Sequence, residues 1–189
     1  IPIRANFDTR YFNDKYQALP KYGYTHFFEK IIDNPLINLK LNTDFFDFKN
    51  SEEFSKLMNP NFKIIYTGPI DHYFSNYNYP KLEYRSIDFK IEKIKNMNYY
   101  QPNSVVNYPE LNVDFTRIVE YKHFLNQESN DTVIVYETTN DKGDPYYPVL
   151  NDKNLELYKE YQKLALQEEE KGIYFLGRLA NYKYFNMDA

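Results

Sequence analysis

The sequence predicts an α+β fold, a mainly antiparallel β-sheet with flanking helices, and three observations lead there. Between residues 82 and 139, β-branched and aromatic runs are broken by Asn, Pro, Gln and Ser clusters, the pattern of short strands joined by turns. Residues 151–171 carry Leu157, Tyr161, Leu164 and Ala165 on one helical stripe. Aromatic side chains make up 19% of the 189 residues, with 21 Tyr and 15 Phe, which is ample material for a core with polar edges.

Taken in order, residues 1–19 mix Arg, Asp, Asn and aromatics without a period and read as an irregular, partly buried segment. Residues 20–33 read as a helix, with Thr25 as N-cap and Phe28, Ile31 and Ile32 as its apolar stripe. Strands are expected at 37–41 and 63–67, the second stopped by Gly68-Pro69. Four antiparallel strands follow at 82–94, 104–108, 115–124 and 132–138. In the third, Arg117, Val119, Tyr121 and His123 alternate with Ile118, Glu120, Lys122 and Phe124. Neither face is cleanly apolar, so this strand is expected to line something polar. Asp152 caps the helix at 151–171, Gly172 ends it, and residues 173–176 form a short buried strand.

Composition removes several functions. A net charge of −4 without any Lys/Arg block leaves no electrostatic footprint for nucleic acid. The absence of cysteine excludes disulfides, thiolate catalysis and Cys-based zinc sites. No apolar run reaches membrane-span length, so a soluble, cytoplasmic protein is expected. Only five glycines occur, none spaced as a dinucleotide fingerprint or a P-loop. The three histidines, His26, His72 and His123, lack zinc-type spacing.

Three stretches remain that could carry chemistry. Residues 116–124 (TRIVEYKHF) offer an Arg fork suited to phosphate or carboxylate. Residues 144–149 (DPYYPV) hold paired tyrosines between prolines, which stiffen the presentation of a hydroxyl. Residues 178–188 (RLANYKYFNMD) form a polar, aromatic stretch after a buried strand, where sites tend to lie. Together they point to an anionic, sugar- or nucleotide-like ligand.

These stretches also carry a resemblance. Residues 66–71 (YTGPID), Asn107-Tyr108, residues 116–124, residues 146–148 (YYP), and Gly177-Arg178-Leu179 followed by Tyr182-Lys183-Tyr184 are similar, in order and spacing, to successive motifs of the UDP-galactopyranose mutases. Residues 11–17 (YFNDKYQ) fit as well, so the similarity covers essentially the whole chain. The resemblance implies an FAD-dependent isomerase. Its members interconvert UDP-galactopyranose and UDP-galactofuranose through a reduced-flavin N5 adduct, for galactofuranose-containing surface glycans. It further implies partial elements of an FAD-binding Rossmann-like domain at 1–81, a substrate sheet at 82–150, and a helix, strand and flavin-contacting loop at 151–189.

By the same resemblance Arg117 is the catalytic residue, holding the diphosphate as the sugar–phosphate bond breaks. Tyr11, Tyr147 and Tyr184 give hydroxyls to the phosphates, Asn107 lies near the sugar and diphosphate, and Glu137 lies close to the galactose. Arg178 meets the flavin's own diphosphate, with Met187 and Asp188 beside the cofactor. Asn186 falls on a substrate-site position where several members have Asp. The Gly-rich dinucleotide fold, the uracil-stacking aromatics and a mobile-loop Arg lie outside this sequence, which together with its start at Ile1 is expected of an enzyme fragment inactive alone. A stand-alone sugar-nucleotide-binding module and a mutase acting on UDP-N-acetylgalactosamine stay open as alternatives, as does a homodimer of the full-length enzyme.

Overall fold

The computed structural model describes Phe7 and residues 14–59, 61–125 and 127–185. Its elements run α1 (Gly23–Ile32), α2 (Phe45–Lys49), α3 (Glu52–Leu57), β1 (Ile64–Tyr66), α4 (Ile70–Tyr73), β2 (Tyr84–Ile94), β3 (Val105–Asn107), β4 (Arg117–Glu120), β5 (Thr132–Asn140), β6 (Tyr147–Pro148), α5 (Asp152–Glu169) and β7 (Ile173–Phe175). Short 3₁₀ turns follow α4 at Ser75–Tyr77 and β4 at Tyr121–His123. Strands β3-β4-β5-β2-β6 form one antiparallel sheet, and β1 pairs in parallel with β7. The α+β class expected from the sequence is the class observed.

The main core lies around β1 and β7, where α4 and α5 meet. Ile64, Ile70, Phe74, Tyr161, Ala165, Phe175 and Tyr182 are buried together, and Leu157 and Leu164 pack against them. This core is built from tyrosine because its hydroxyls find acceptors at the edges. Tyr161 donates to Pro80 O at 2.8 Å, Tyr73 to Glu168 Oε2 at 3.0 Å, and Tyr182 to Glu83 O at 2.6 Å. Asp71, in α4, accepts from Leu82 N at 3.3 Å and Tyr84 Oη at 3.2 Å, tying the parallel pair to the start of the large sheet.

Several local expectations need correction. Helix α1 begins at Gly23 with Tyr22 at its N-cap, so Thr25 lies inside it. Residues 37–41 form no ladder among the described residues, and Ile37, Leu39 and Leu41 are exposed, since an extended run becomes a strand only beside a partner. Residues 14–19 are exposed rather than partly buried. Asn151, not Asp152, caps α5, its side chain accepting from Asn154 N. The strand expected to run to Phe124 leaves the sheet after Glu120 and enters the 3₁₀ turn. No helix among the described residues is long and apolar enough to cross a membrane.

Candidate functional site

The register of the large sheet decides what its site face carries. Asn107 stands opposite Arg117, Arg117 opposite Glu137, and Glu137 opposite Phe89. Directly paired residues project to the same side of a sheet. The carboxamide, the guanidinium, the carboxylate and the Phe89 ring therefore form one row across four strands. Arg117 Nε donates to Glu137 Oε2 at 2.5 Å, with the carboxylate side chain 7% exposed and the guanidinium side chain 39% exposed.

Burial acts to lower the Arg117 pKa, but the hydrogen bond and charge of Glu137 outweigh it, and the nearby Tyr147 phenol adds to the upward shift. Tyr147 is the first residue of β6, a two-residue strand paired with Tyr84 and Arg85. Its ring stacks on Tyr184 with centroids 5.6 Å apart and planes 20° from parallel. The Arg178 guanidinium lies 5.0 Å from the Tyr147 centroid and 4.8 Å from that of Tyr184, within cation–π range of both. Arg178 also donates from Nε and Nη2 to Phe185 O, at 3.2 and 2.6 Å.

The turn after β7 holds these groups in place. Gly177 has φ of +92°, and Tyr182 sits at φ +44°, a left-handed conformation that a bulky side chain rarely adopts. Tyr182 is 1% exposed and bonded to Glu83 O and Val149 O, so burial and two acceptors hold that strain. The fixed turn places Arg178 and Tyr184 over β6.

Six of the residues singled out from the sequence thus fall into two linked groups. Asn107, Arg117 and Glu137 share the row, Arg178 and Tyr184 flank Tyr147, and Tyr147, paired with Arg85 four residues before Phe89 on β2, stands on the same face as the row. Tyr11, Asn186, Met187 and Asp188 lie outside the described residues. The sequence reading missed Arg85, which is exposed and stands opposite Tyr147 in register. Alternation along β2 contained that signal, but the partner strand is only two residues long. A separate cleft of about 810 Å³ is lined by Asp71, Lys81, Tyr84, Arg85, Asp141 and Pro145, and none of Asn107, Arg117, Glu137, Tyr147, Arg178 and Tyr184 lines it. The candidate site residues therefore lie on the open sheet face rather than in this cleft. Among the described residues no group of three or more His, Cys, Asp or Glu could hold a metal.

Chemically, two guanidinium groups, a carboxamide and two phenols make a donor-rich surface for an anion, with planar forks that match phosphate oxygens. A family model described as UDP-galactopyranose mutase matches residues 1–184. The chain belongs to the UDP-galactopyranose mutase family. It is 36% identical over 193 residues to a probable UDP-galactopyranose mutase of Klebsiella pneumoniae, covering 100% of this chain and 47% of that protein. It is 38% identical over 200 residues to the UDP-galactopyranose mutase of Mycoplasma genitalium, covering 100% and 48%. A dTDP-fucopyranose mutase of Escherichia coli is 32% identical over 198 residues, covering 100% and 50%. The chain spans about half the length of these mutase relatives.

Proposed function

We propose that this chain supplies the diphosphate-gripping half of an enzyme that interconverts UDP-galactopyranose and UDP-galactofuranose in the cytoplasm. The observation that carries this reading is the register of Asn107 and Arg117 beside the Tyr147–Tyr184 stack, in a chain of the mutase family. Arg117 holds the diphosphate and offsets the charge that grows as the anomeric carbon–oxygen bond breaks. Tyr147 and Tyr184 donate hydroxyls to the phosphate oxygens, and Asn107 fixes the sugar side of the same group. Tyr11 and Asn186 complete the substrate contacts.

Residues 82–150 act as the substrate sheet, while 1–81 and 151–189 belong to the cofactor domain, a division supported by the parallel β1–β7 pair beside an antiparallel sheet. The residues present fit one edge of FAD. Arg178 carries a cation and aromatic neighbours suited to a diphosphate, with Met187 and Asp188 following it, but the five glycines are not spaced to form a phosphate cradle. Reduced flavin, when bound, supplies the nucleophile that displaces UDP from the sugar.

Arg117→Ala in the full-length protein tests this reading. Removing a charge that holds a diphosphate costs roughly 100-fold or more in turnover and weakens UDP binding. Near-normal turnover would overturn it.

A further inference from the structure

The mutase reading, on which this inference rests, assigns Glu137 a contact with the sugar, and the geometry points elsewhere. We infer that Glu137 is a positioning residue for Arg117, holding its guanidinium by Nε so that the terminal amino groups face the ligand.

Three observations carry this. First, the carboxylate is already engaged, with Oε2 accepting from Arg117 Nε at 2.5 Å. Second, the Glu137 side chain is 7% exposed, so it sits beneath the guanidinium rather than on the open surface, where Arg117 keeps 39% of its exposure. Third, the main chain of Glu137 is pinned to the same place. Its carbonyl accepts both from Thr116 N at 2.8 Å and from Thr116 Oγ1 at 2.9 Å. Main chain and side chain of one residue thus clasp two consecutive residues of the neighbouring strand.

The chemistry of the fork explains why this arrangement serves an anion site. Arginine presents five donors in a rigid plane. A carboxylate that took both terminal amino groups would compete with a phosphate for the same edge. Here Glu137 takes Nε, which leaves the two amino groups for a ligand on the open face. An anion then meets a guanidinium whose plane and direction are already set, so less freedom is lost on binding. The negative charge of Glu137 also keeps the buried side of the pair balanced before the ligand arrives.

The test is a double-mutant cycle on UDP affinity in the full-length protein, using Arg117→Ala, Glu137→Ala, both together, and Glu137→Gln. Positioning predicts that Glu137→Ala weakens UDP about tenfold, the scale of coupling between contacting residues. The double variant then binds no more weakly than Arg117→Ala alone. Glu137→Gln keeps an acceptor for Nε and recovers most of the affinity. A direct sugar contact gives a different result: Glu137→Ala leaves UDP affinity intact and weakens only the sugar nucleotide, which overturns the inference. Additive losses in the double variant overturn it too. Should Glu137→Ala fail to fold, Glu137→Asp draws the carboxylate back by one methylene, and wild-type UDP affinity in that variant is the overturning result. Failure of the underlying reading is distinguishable, because Arg117→Ala would then itself bind UDP normally.

Discussion

Glu120 shows how much one side chain can organise. It is fully buried, and its carboxylate accepts from Tyr100 N at 2.9 Å, Gln101 N at 3.0 Å and Thr132 Oγ1 at 2.5 Å, with His123 Nε2 at 3.1 Å. Two residues on, the buried Lys122 ammonium donates to Asn98 O at 2.7 Å, Asn98 Oδ1 at 2.9 Å, Asp131 O at 3.3 Å and Ser129 O. These two groups stitch the loops on either side of β4 to its end. Burial alone would raise the Glu120 pKa, but the hydrogen bonds from Thr132, Tyr100, Gln101 and His123 hold it below the ordinary glutamate value. A depressed carboxylate pKa stabilises the fold above the unfolded value, and that stability is lost as pH falls through the folded one. We therefore expect Glu120→Ala to cost about 3 kcal/mol, since several buried donors lose their acceptor. Urea melts would check it, and a glutamine at this position should flatten the acid limb of the stability curve below the ordinary glutamate pKa. An unchanged acid limb would refute the assignment. Alternation in residues 116–124 signalled that the segment is not a plain amphipathic strand, and Arg117 was legible as a candidate site residue on chemical grounds. The division of labour was not, because the donors that pull Glu120 inward come from residues 100, 101, 123 and 132.

At the scale of elements, legibility followed length. Helix α5 runs for 18 residues, long enough for the stripe of Leu157, Tyr161, Leu164 and Ala165 to be read from spacing. Helices α2 and α3, of 5 and 6 residues, are too short to show a period, although their N-caps Asp44 and Ser51 stand in the sequence. Strand β6 has 2 residues and no pattern at all, yet it carries Tyr147. The link from α5 to β7 was readable because it needs a glycine. Gly172 has φ of +82°, and a Cβ there would meet Phe62 O at 3.1 Å and the Lys63 side chain beyond it. Gly172→Ala therefore combines a left-handed backbone with a close carbonyl, and we expect a loss of about 1–2 kcal/mol. Because β7 lies beside β1 and leads into the Arg178 turn, thermal melts and UDP affinity should fall together. A variant as stable as the wild type would show that the backbone relaxes without strain.

For the whole molecule, the sheet class was legible and its strand order was not. Order β3-β4-β5-β2-β6 depends on which strands meet across long connections, and it is this order that aligns Asn107, Arg117 and Glu137. The tyrosine content, by contrast, was visible from the start and has a consequence for the entire fold. Burial, reinforced by Asp71, pushes Tyr66 and Tyr161 up to about 12. Tyr182 also reaches about 12, where burial dominates over the opposing hydrogen bond to Val149. Tyr73 is raised further by burial and Glu168, and Tyr84 by burial and Asp71. In each the neutral phenol is favoured by the folded state. Their contribution to stability is therefore complete below the ordinary tyrosine value of about 10, and it is lost as pH rises through the folded values. Following phenolate absorbance and far-ultraviolet circular dichroism together across the alkaline range would test this. The expected result is a late group of phenols that ionise well above pH ~10, in the same step that unfolds the helices. If every tyrosine ionised near the ordinary value while the helical signal persisted, the hydroxyls of Tyr66, Tyr73, Tyr84, Tyr161 and Tyr182 would not be holding this core together.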